Sequence, residues 1–179
     1  MKTAGLHALF TRIDAAEYGL CRRLNRVSSH TGLRNTFRVA SRLGDGVIWY
    51  AMLALLLVLY GRGALKPVVV MAITGIVGVV LYKILKRVCV RERPFITHTS
   101  ISLAMAPLDR YSFPSGHTLH AVAFSWQAAV QFPELSWVLV PLATLIAASR
   151  VVLGLHYPTD VAAGAAIGGT LAMVGLSFV

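Results

Sequence analysis

The chain has 179 residues, of which 56% are hydrophobic and 13% are charged, and its formal net charge is +10 at pH 7. A soluble domain usually carries about 25% charged residues, so this composition predicts a polytopic membrane protein with a single core. The same hydrophobicity argues against nucleic acid as the partner of the basic residues. Anionic lipid headgroups and an anion-binding pocket remain as their targets.

Residues 1–45 predict an amphipathic helical region that lies in the membrane interface. Apolar residues recur there at helical spacing among arginines: Leu6, Leu9, Phe10, Ile13, Leu20, Leu24 and Val27. A basic polar face opposite an apolar face favours binding at the headgroup boundary over a membrane span. A soluble helical hairpin packed on the rest of the protein is the alternative. We therefore divide the chain into an interfacial region, residues 1–45, and a transmembrane core, residues 46–179.

Five apolar segments in the core predict an all-α bundle with about five transmembrane helices. The segments are residues 47–60, 67–85, 118–132, 136–152 and 161–179. Since a full span needs about 20 residues, the first and third segments are short and must borrow flanking residues or be buried by the other helices. If each segment crosses once, the loops 86–116 and 153–159 lie on the same side as the N-terminal region.

Three polar clusters fall on this shared side, at the ends of the apolar segments. They contain Lys86 and Arg93; Ser115, Gly116 and His117; and Arg150, His156 and Asp160. Three cations brought together repel one another unless they share an anion, and arginine binds phosphate oxygens in bidentate fashion. The free N–H groups at the start of the third helix, around Gly116, form a second anion-binding element. The clusters therefore predict a phosphate site.

The two histidines supply the groups that phosphoryl transfer needs. His156 and Asp160 are four residues apart, so on one helical turn they would face each other. A carboxylate bound to one ring nitrogen fixes the tautomer and leaves the other nitrogen free as a nucleophile. His117, across the phosphate, would protonate the leaving oxygen. Because the cations offset the phosphate charge, we expect neither a metal ion nor another cofactor.

Other basic residues on this side, and the glycines of the last segment, have no spacing that assigns them to the phosphate site. We interpret Lys83, Arg87 and Arg91 as headgroup anchors, which is the usual role of basic residues at the end of a membrane helix. Gly164 and Gly168 form a pattern of small residues four apart. We expect this pattern to allow close helix packing within the protein rather than dimerisation.

The polar residues together are similar to the signature of the type 2 phosphatidic acid phosphatase superfamily. The signature is Lys-x6-Arg-Pro, Pro-Ser-Gly-His and Ser-Arg-x5-His-x3-Asp, and every defined position is filled in order between Lys86 and Asp160. The resemblance implies an all-helical, metal-independent phosphatase in which His156 forms a phosphohistidine intermediate. Asp160 would be its partner and His117 the general acid. The phosphate would be bound by Lys86, Arg93, Ser115, Gly116 and Arg150.

The resemblance also implies a lipid phosphate as substrate, membrane lipids as surroundings and no obligate protein partner. We expect hydrolysis of undecaprenyl diphosphate, phosphatidylglycerol phosphate, phosphatidate or a phosphate of lipid A. The alternatives are a transferase that passes the phosphoryl group to another lipid, a vanadate-dependent haloperoxidase and an inactive membrane scaffold. A haloperoxidase needs no membrane, and the filled motifs argue against a scaffold.

Two arguments give opposite answers about which side of the membrane the site faces. Eight basic residues of the N-terminal region lie on the catalytic side, and the positive-inside rule then places that side in the cytoplasm. Bacterial members of the resembled family mostly face outward. A short first span formed by the N-terminal region would remove the conflict. We expect a bacterial plasma membrane protein whose site faces the periplasm or the outside.

Overall fold

The computed structural model describes residues 2–179, except for the side chains of residues 2–4, 6 and 7, and contains no β-strand in that range. The helices are α1 Lys2–Asn25, α2 Thr31–Leu43, α3 Val47–Tyr60, α4 Leu65–Cys89, α5 Pro94–Thr97, α6 Gly116–Gln131, α7 Ser136–Val152 and α8 Pro158–Leu176. Short 3₁₀ turns occupy Arg26–Ser29, Gly61–Ala64 and Pro133–Leu135. The predicted all-α class is confirmed. The expected apolar position of Leu6 lies outside the described side chains.

The central core lies between α3, α4, α6 and α7. Trp49 of α3 stacks on Phe124 of α6, with ring centroids 5.4 Å apart and an interplanar angle of 8°. Leu56, Met71 and Ile146 are almost completely buried around this pair. Many large apolar side chains on the opposite faces of these helices are exposed, as expected of helices that contact lipid.

Helices α6 and α8 approach each other more closely than ordinary side chains allow. A Cβ atom at Gly164 would lie 2.5 Å from the carbonyl oxygen of Ser115, and one at Gly168 would lie 2.3 Å from that of Leu119. Glycine at both positions lets the two backbones touch. The predicted close packing within the protein is therefore confirmed, and it fixes the start of α8 against the start of α6.

Three helical stretches of the described range are long and apolar enough to cross a membrane: Val47–Thr97, Pro133–Val152 and Pro158–Leu176. The first stretch contains α3, α4 and α5. Helix α6 has 16 residues, which is just short of the roughly 17 residues that a spanning helix needs. The chain is thus a helical membrane protein, and the figure of about five spans stays a prediction.

The N-terminal helices α1 and α2 pack against the loops at one end of the core. The Asn25 side chain at the end of α1 donates hydrogen bonds of 3.0 Å to the carbonyl oxygens of Ser102 and Val152. Arg38 of α2 donates a bond of 2.6 Å to the carbonyl oxygen of Ala104. These contacts belong to a hairpin packed on the core. Its interfacial position in the membrane stays a prediction.

Candidate active site

A cavity of about 650 Å³ opens where α4 and α7 end and α6 begins. Among its lining residues are six that the sequence predicts to form the site: Lys86, Arg93, Gly116, His117, Arg150 and His156. The other two predicted residues, Ser115 and Asp160, are completely buried and do not line the cavity. The loops therefore bring residues at or beside the ends of five helices, α4 to α8, to one place.

The ring of His156 presents a nitrogen with a free electron pair close to an arginine. Its Nε2 atom lies 3.3 Å from Nη1 of Arg93. Arginine can only donate hydrogen bonds, so Nε2 accepts and carries no proton. The proton of the neutral ring is then on Nδ1. This tautomer leaves a nitrogen with a free electron pair beside Arg93.

Asp160 lies on the other side of the His156 ring, although the helical turn that the sequence predicted for this pair is wrong. His156 precedes α8, which begins at Pro158, and Asp160 is in the first turn of that helix. Asp160 faces back because its Oδ2 accepts a bond of 2.8 Å from the backbone N–H of Tyr157, as helix-capping carboxylates do. Nδ1 of His156 is 3.6 Å from Oδ2 of Asp160. This distance is longer than a hydrogen bond, and Nδ1 has no other partner among the described residues.

The surroundings of His156 favour its neutral form. Burial lowers the pKa of the imidazole well below 6.5, and the positive charges of Arg93, Arg150 and Lys86 lower it further. Only 1% of the residue is exposed. A neutral imidazole is the form that can attack phosphorus, and the cations predicted to bind phosphate also favour this form.

The three predicted phosphate-binding cations are all buried. Lys86 is 7% exposed, Arg93 1% and Arg150 2%. Arg93 is held by a bond of 2.7 Å from Nη1 to the carbonyl oxygen of Leu155, and Nη1 of Arg150 donates to the hydroxyl of Ser41 in α2. Nε of Arg150 is buried and has no hydrogen-bond partner among the described residues. A buried guanidinium with a spare donor is suited to an anion.

Asp109 is a residue of the cavity that the sequence did not assign. Its carboxylate lies 2.8 Å from Nζ of Lys86 through both oxygens and 2.7 Å from Nη2 of Arg93. Burial would raise its pKa, but the hydrogen bond and charge of Lys86, with Arg93, hold the pKa below its usual value of 3.8. No spacing rule links a residue in the long loop 98–115 to these cations, so the contact depends on how the loop folds.

His117 also has a carboxylate partner that the sequence missed. Its Nε2 lies 2.6 Å from Oδ1 of Asp45, in the turn between α2 and α3. Because a carboxylate accepts, Nε2 carries a proton in this pair. No motif in the sequence marks Asp45, which lies just before the first apolar segment.

Ser115 has a structural position rather than a place in the cavity. It is the N-cap of α6, where its hydroxyl accepts from the Thr118 backbone N–H at 3.4 Å and contacts the Thr118 hydroxyl at 2.9 Å. Its own N–H donates to the backbone carbonyl of Asp160 at 3.0 Å. Gly116 does line the cavity. The backbone N–H groups of Gly116 and His117, which follow the cap, have no carbonyl partner within the helix and are available to an anion.

Arg91 is not a headgroup anchor, which corrects the interpretation made from the sequence. The residue is 2% exposed, and its guanidinium forms ion pairs with Asp14, Glu17 and Asp160. The chain turns at Val90, which has a positive φ of 48° after the end of α4, and this turn directs Arg91 inward. Lys83 and Arg87 are exposed, as anchors would be.

The chain is similar in sequence to membrane phosphatases. The model of the PAP2 superfamily matches residues 63–179. Undecaprenyl-diphosphatase BcrC of Bacillus subtilis is 36% identical over 116 residues, which cover 64% of this chain and 60% of BcrC. Decaprenylphosphoryl-5-phosphoribose phosphatase of Mycobacterium tuberculosis is 33% identical over 145 residues, which cover 80% of this chain and 78% of that protein. The chain thus spans less than two thirds of the length of BcrC.

The fold is shared with a solved structure. The crystal structure of Aquifex aeolicus LpxE superimposes with a TM-score of 0.75 and covers 91% of this chain and 96% of its own. The two sequences are 24% identical. The helical architecture around the cavity is therefore one that occurs in other proteins.

Proposed function

The chain belongs to the PAP2 superfamily, and from this we propose that it is an integral membrane phosphatase that hydrolyses a lipid phosphate or diphosphate. One observation carries the proposal. Nε2 of His156 is unprotonated and lies 3.3 Å from Arg93, in a cavity that Lys86 and Arg150 also line. A nucleophile beside three cations is the arrangement that transfer of a phosphoryl group requires.

The substrate phosphate binds between the side chains of Lys86, Arg93 and Arg150. The arginines hold its oxygens in fixed directions, and the N–H groups at the start of α6 add dipoles of the same sign. Negative charge that spreads over the equatorial oxygens in the transition state meets positive charge on several sides. Ser115 contributes through the helix cap, which holds these N–H groups in place.

Nε2 of His156 attacks phosphorus in line with the leaving oxygen. The N–P bond forms as the P–O bond breaks. His117 enters this step as the imidazolium, gives one proton to the departing oxygen and becomes the neutral base of the next step. The imidazole becomes positively charged, and the Asp160 carboxylate stabilises it from the Nδ1 side. A water molecule then attacks the phosphohistidine, His117 takes a proton from that water, and inorganic phosphate leaves with His156 restored.

The rest of the cavity fits an apolar chain. Away from the cations it is lined by Trp49, Leu53, Ala72, Ile76 and Phe124 of α3, α4 and α6. The phosphate and the hydrocarbon of a lipid would therefore be bound in one continuous space. An apolar tail bound against these side chains is removed from water. This burial favours a lipid over a soluble phosphate ester.

The substrates that we propose are undecaprenyl diphosphate and related polyprenyl phosphates first, then lipid A phosphates, phosphatidylglycerol phosphate and phosphatidate. The relatives in Bacillus subtilis and Mycobacterium tuberculosis are by name phosphatases of polyprenyl-linked substrates. We also propose a bacterial plasma membrane with the site facing outward. A transferase shares the phosphohistidine and differs only in the acceptor.

Phosphate release by the purified protein tests the proposal. The protein in detergent is given each lipid phosphate with and without EDTA, with and without vanadate, and beside the His156→Ala variant. We expect release that vanadate blocks and that EDTA leaves unchanged. Phosphate on a second lipid instead of in solution would indicate the transferase. No turnover of any substrate, or oxidation of halide by the vanadate-loaded protein, would contradict a phosphatase.

A further inference from the structure

Arg91 has no contact with the proposed phosphate position, yet its guanidinium ends on the carboxylate that supports His156. We propose that Arg91, held by Asp14 and Glu17 of α1, is a positioning residue for Asp160, and that α1 is thereby a working part of the active site. The inference rests on the proposed function, because it assigns Asp160 a role in that reaction.

Each of the five N–H donors of the Arg91 guanidinium has an acceptor. Nη1 donates to Oδ1 of Asp160 at 2.6 Å and to the Thr159 hydroxyl at 2.8 Å. Nε and Nη2 donate to Oδ1 of Asp14 at 2.9 and 2.6 Å, and Nη2 also donates to Glu17 at 3.1 Å. A fully engaged guanidinium has one orientation. The oxygen that it holds on Asp160 therefore has one position as well.

Two aromatic rings, those of Phe10 and Tyr157, pack against the Arg91 guanidinium. Its carbon lies 4.9 Å from the ring centroid of Phe10 in α1 and 4.2 Å from that of Tyr157, the residue after His156. These contacts exclude water, and removal of water strengthens the ion pairs with the three carboxylates. The cluster thus ties α1 directly to the chain that carries the nucleophile.

Asp160 needs such a partner because it lies too far from His156 for a direct hydrogen bond. The carboxylate is completely buried, and an ionised carboxylate in such a position is stable only when it is paired. Its Oδ2 accepts from the Tyr157 N–H, and Arg91 holds Oδ1. Oδ2 is then 3.6 Å from Nδ1 of His156. A small rotation about the Asp160 side chain would change this distance, so Arg91 decides whether the charge reaches the imidazole.

Helix α1 also forms hydrogen bonds with the start of α8, in addition to its ion pairs with Arg91. Glu17 accepts bonds of 2.8 and 2.7 Å from the backbone N–H and the hydroxyl of Thr159, at the start of α8. Asp14 and Glu17 are three residues apart and share one helical face. Helix α1 lies outside residues 63–179, which the family model matches. The two carboxylates therefore lie outside the matched region.

Steady-state kinetics of Arg91 variants test the proposal on the full-length protein in detergent. We expect Arg91→Met to lower kcat about 10- to 100-fold, as loss of a supporting partner typically does. Since the phosphate-binding cations are untouched, KM and the inhibition constant of vanadate should change less than about threefold. Arg91→Lys should recover part of kcat, because lysine has the charge but only three donors. Glu92→Gln, an exposed neighbour, is the control.

The double variant Asp14→Asn and Glu17→Gln keeps the size of both side chains and tests the contribution of α1. We expect its kcat to fall about tenfold with vanadate inhibition retained. This variant also decides the question if Arg91→Met does not fold. Wild-type kcat in the Arg91 variants, or loss of vanadate inhibition in parallel with kcat, would overturn the inference. Absence of turnover by the wild-type protein would instead overturn the proposed function.

Discussion

The carboxylate of Asp109 lies 2.8 Å from the Nζ atom of Lys86 through both of its oxygens. The same carboxylate is 2.7 Å from Arg93. Two of the three cations proposed to bind the substrate phosphate are thus already bound by an anion of the protein. A phosphate that enters the cavity must share these donors with Asp109 or displace it.

Asp109→Asn should strengthen binding of phosphate analogues. The amide keeps the shape of the side chain but no longer competes for Lys86 and Arg93 with a negative charge. Since the carboxylate is 41% exposed, we expect a modest effect, a fall of about three- to tenfold in the vanadate inhibition constant and in KM. Glu92→Gln is the matched control. Weaker vanadate inhibition would mean that Asp109 holds the cations in position rather than competing with the substrate.

His156→Ala should abolish turnover while leaving the protein folded. Loss of the nucleophile removes the covalent route, so we expect a fall on the order of a thousand-fold or more in kcat. The wild-type protein, quenched during turnover, should carry an alkali-stable phosphoryl group that the variant lacks. Activity within about tenfold of wild type would contradict the assignment of the nucleophile.

Asp160→Asn and His117→Ala should lower activity in different ways. Asp160→Asn removes the charge that stabilises the His156 ring, so it should slow every substrate. His117→Ala removes the proton donor, so its effect should be severe for an alkyl phosphate and mild for a nitrophenyl phosphate, whose leaving oxygen needs no proton. The test is steady-state rates of both variants on both substrates. An equal loss for His117→Ala on the two substrates would assign His117 to phosphate binding or helix capping.

The pH dependence of kcat/KM should show no loss from protonation of His156 near neutral pH. Burial, together with Arg93 and Arg150, lowers the pKa of this imidazole well below 6.5, so the neutral nucleophile persists as the pH falls. After correction for the second ionisation of the substrate phosphate, measured separately by phosphorus NMR, kcat/KM should not fall from about pH 7.5 to 6. An acidic limb centred near 6.5 would show an imidazole with an ordinary pKa.

Gly168→Ala should destabilise the fold without touching the cavity. The added Cβ would lie 2.3 Å from the backbone oxygen of Leu119, and a backbone atom cannot move aside as a side chain can. We expect a loss of about 1–3 kcal/mol, seen as a lower Tm in detergent. Gly19→Ala in α1 is the control, because nothing lies within 4 Å of its Cβ position. Equal Tm values for the two variants would show that α6 and α8 have room between them.

The sequence by itself determined which residues come to the site. If each apolar segment crosses the membrane once, the segment ends lie alternately on two sides, which places Lys86, Arg93, Gly116, Arg150 and His156 at one end of a bundle. All five line one cavity. Local spacing was enough for this result, because membrane-spanning helices have few ways to connect.

The tertiary structure alone decided how these residues are held. Three residues in or beside the site have acidic partners that no motif marks and that lie far away in the chain. Asp45 binds His117, and Asp109 binds Lys86. Asp14 and Glu17 bind Arg91. In the structure His156 also lies before α8 and not, as the spacing had predicted, on a helical turn with Asp160. Periodicity reports which face of a helix is apolar, but a buried charge finds its counter-charge in three dimensions. The identity of that partner is therefore absent from the local pattern.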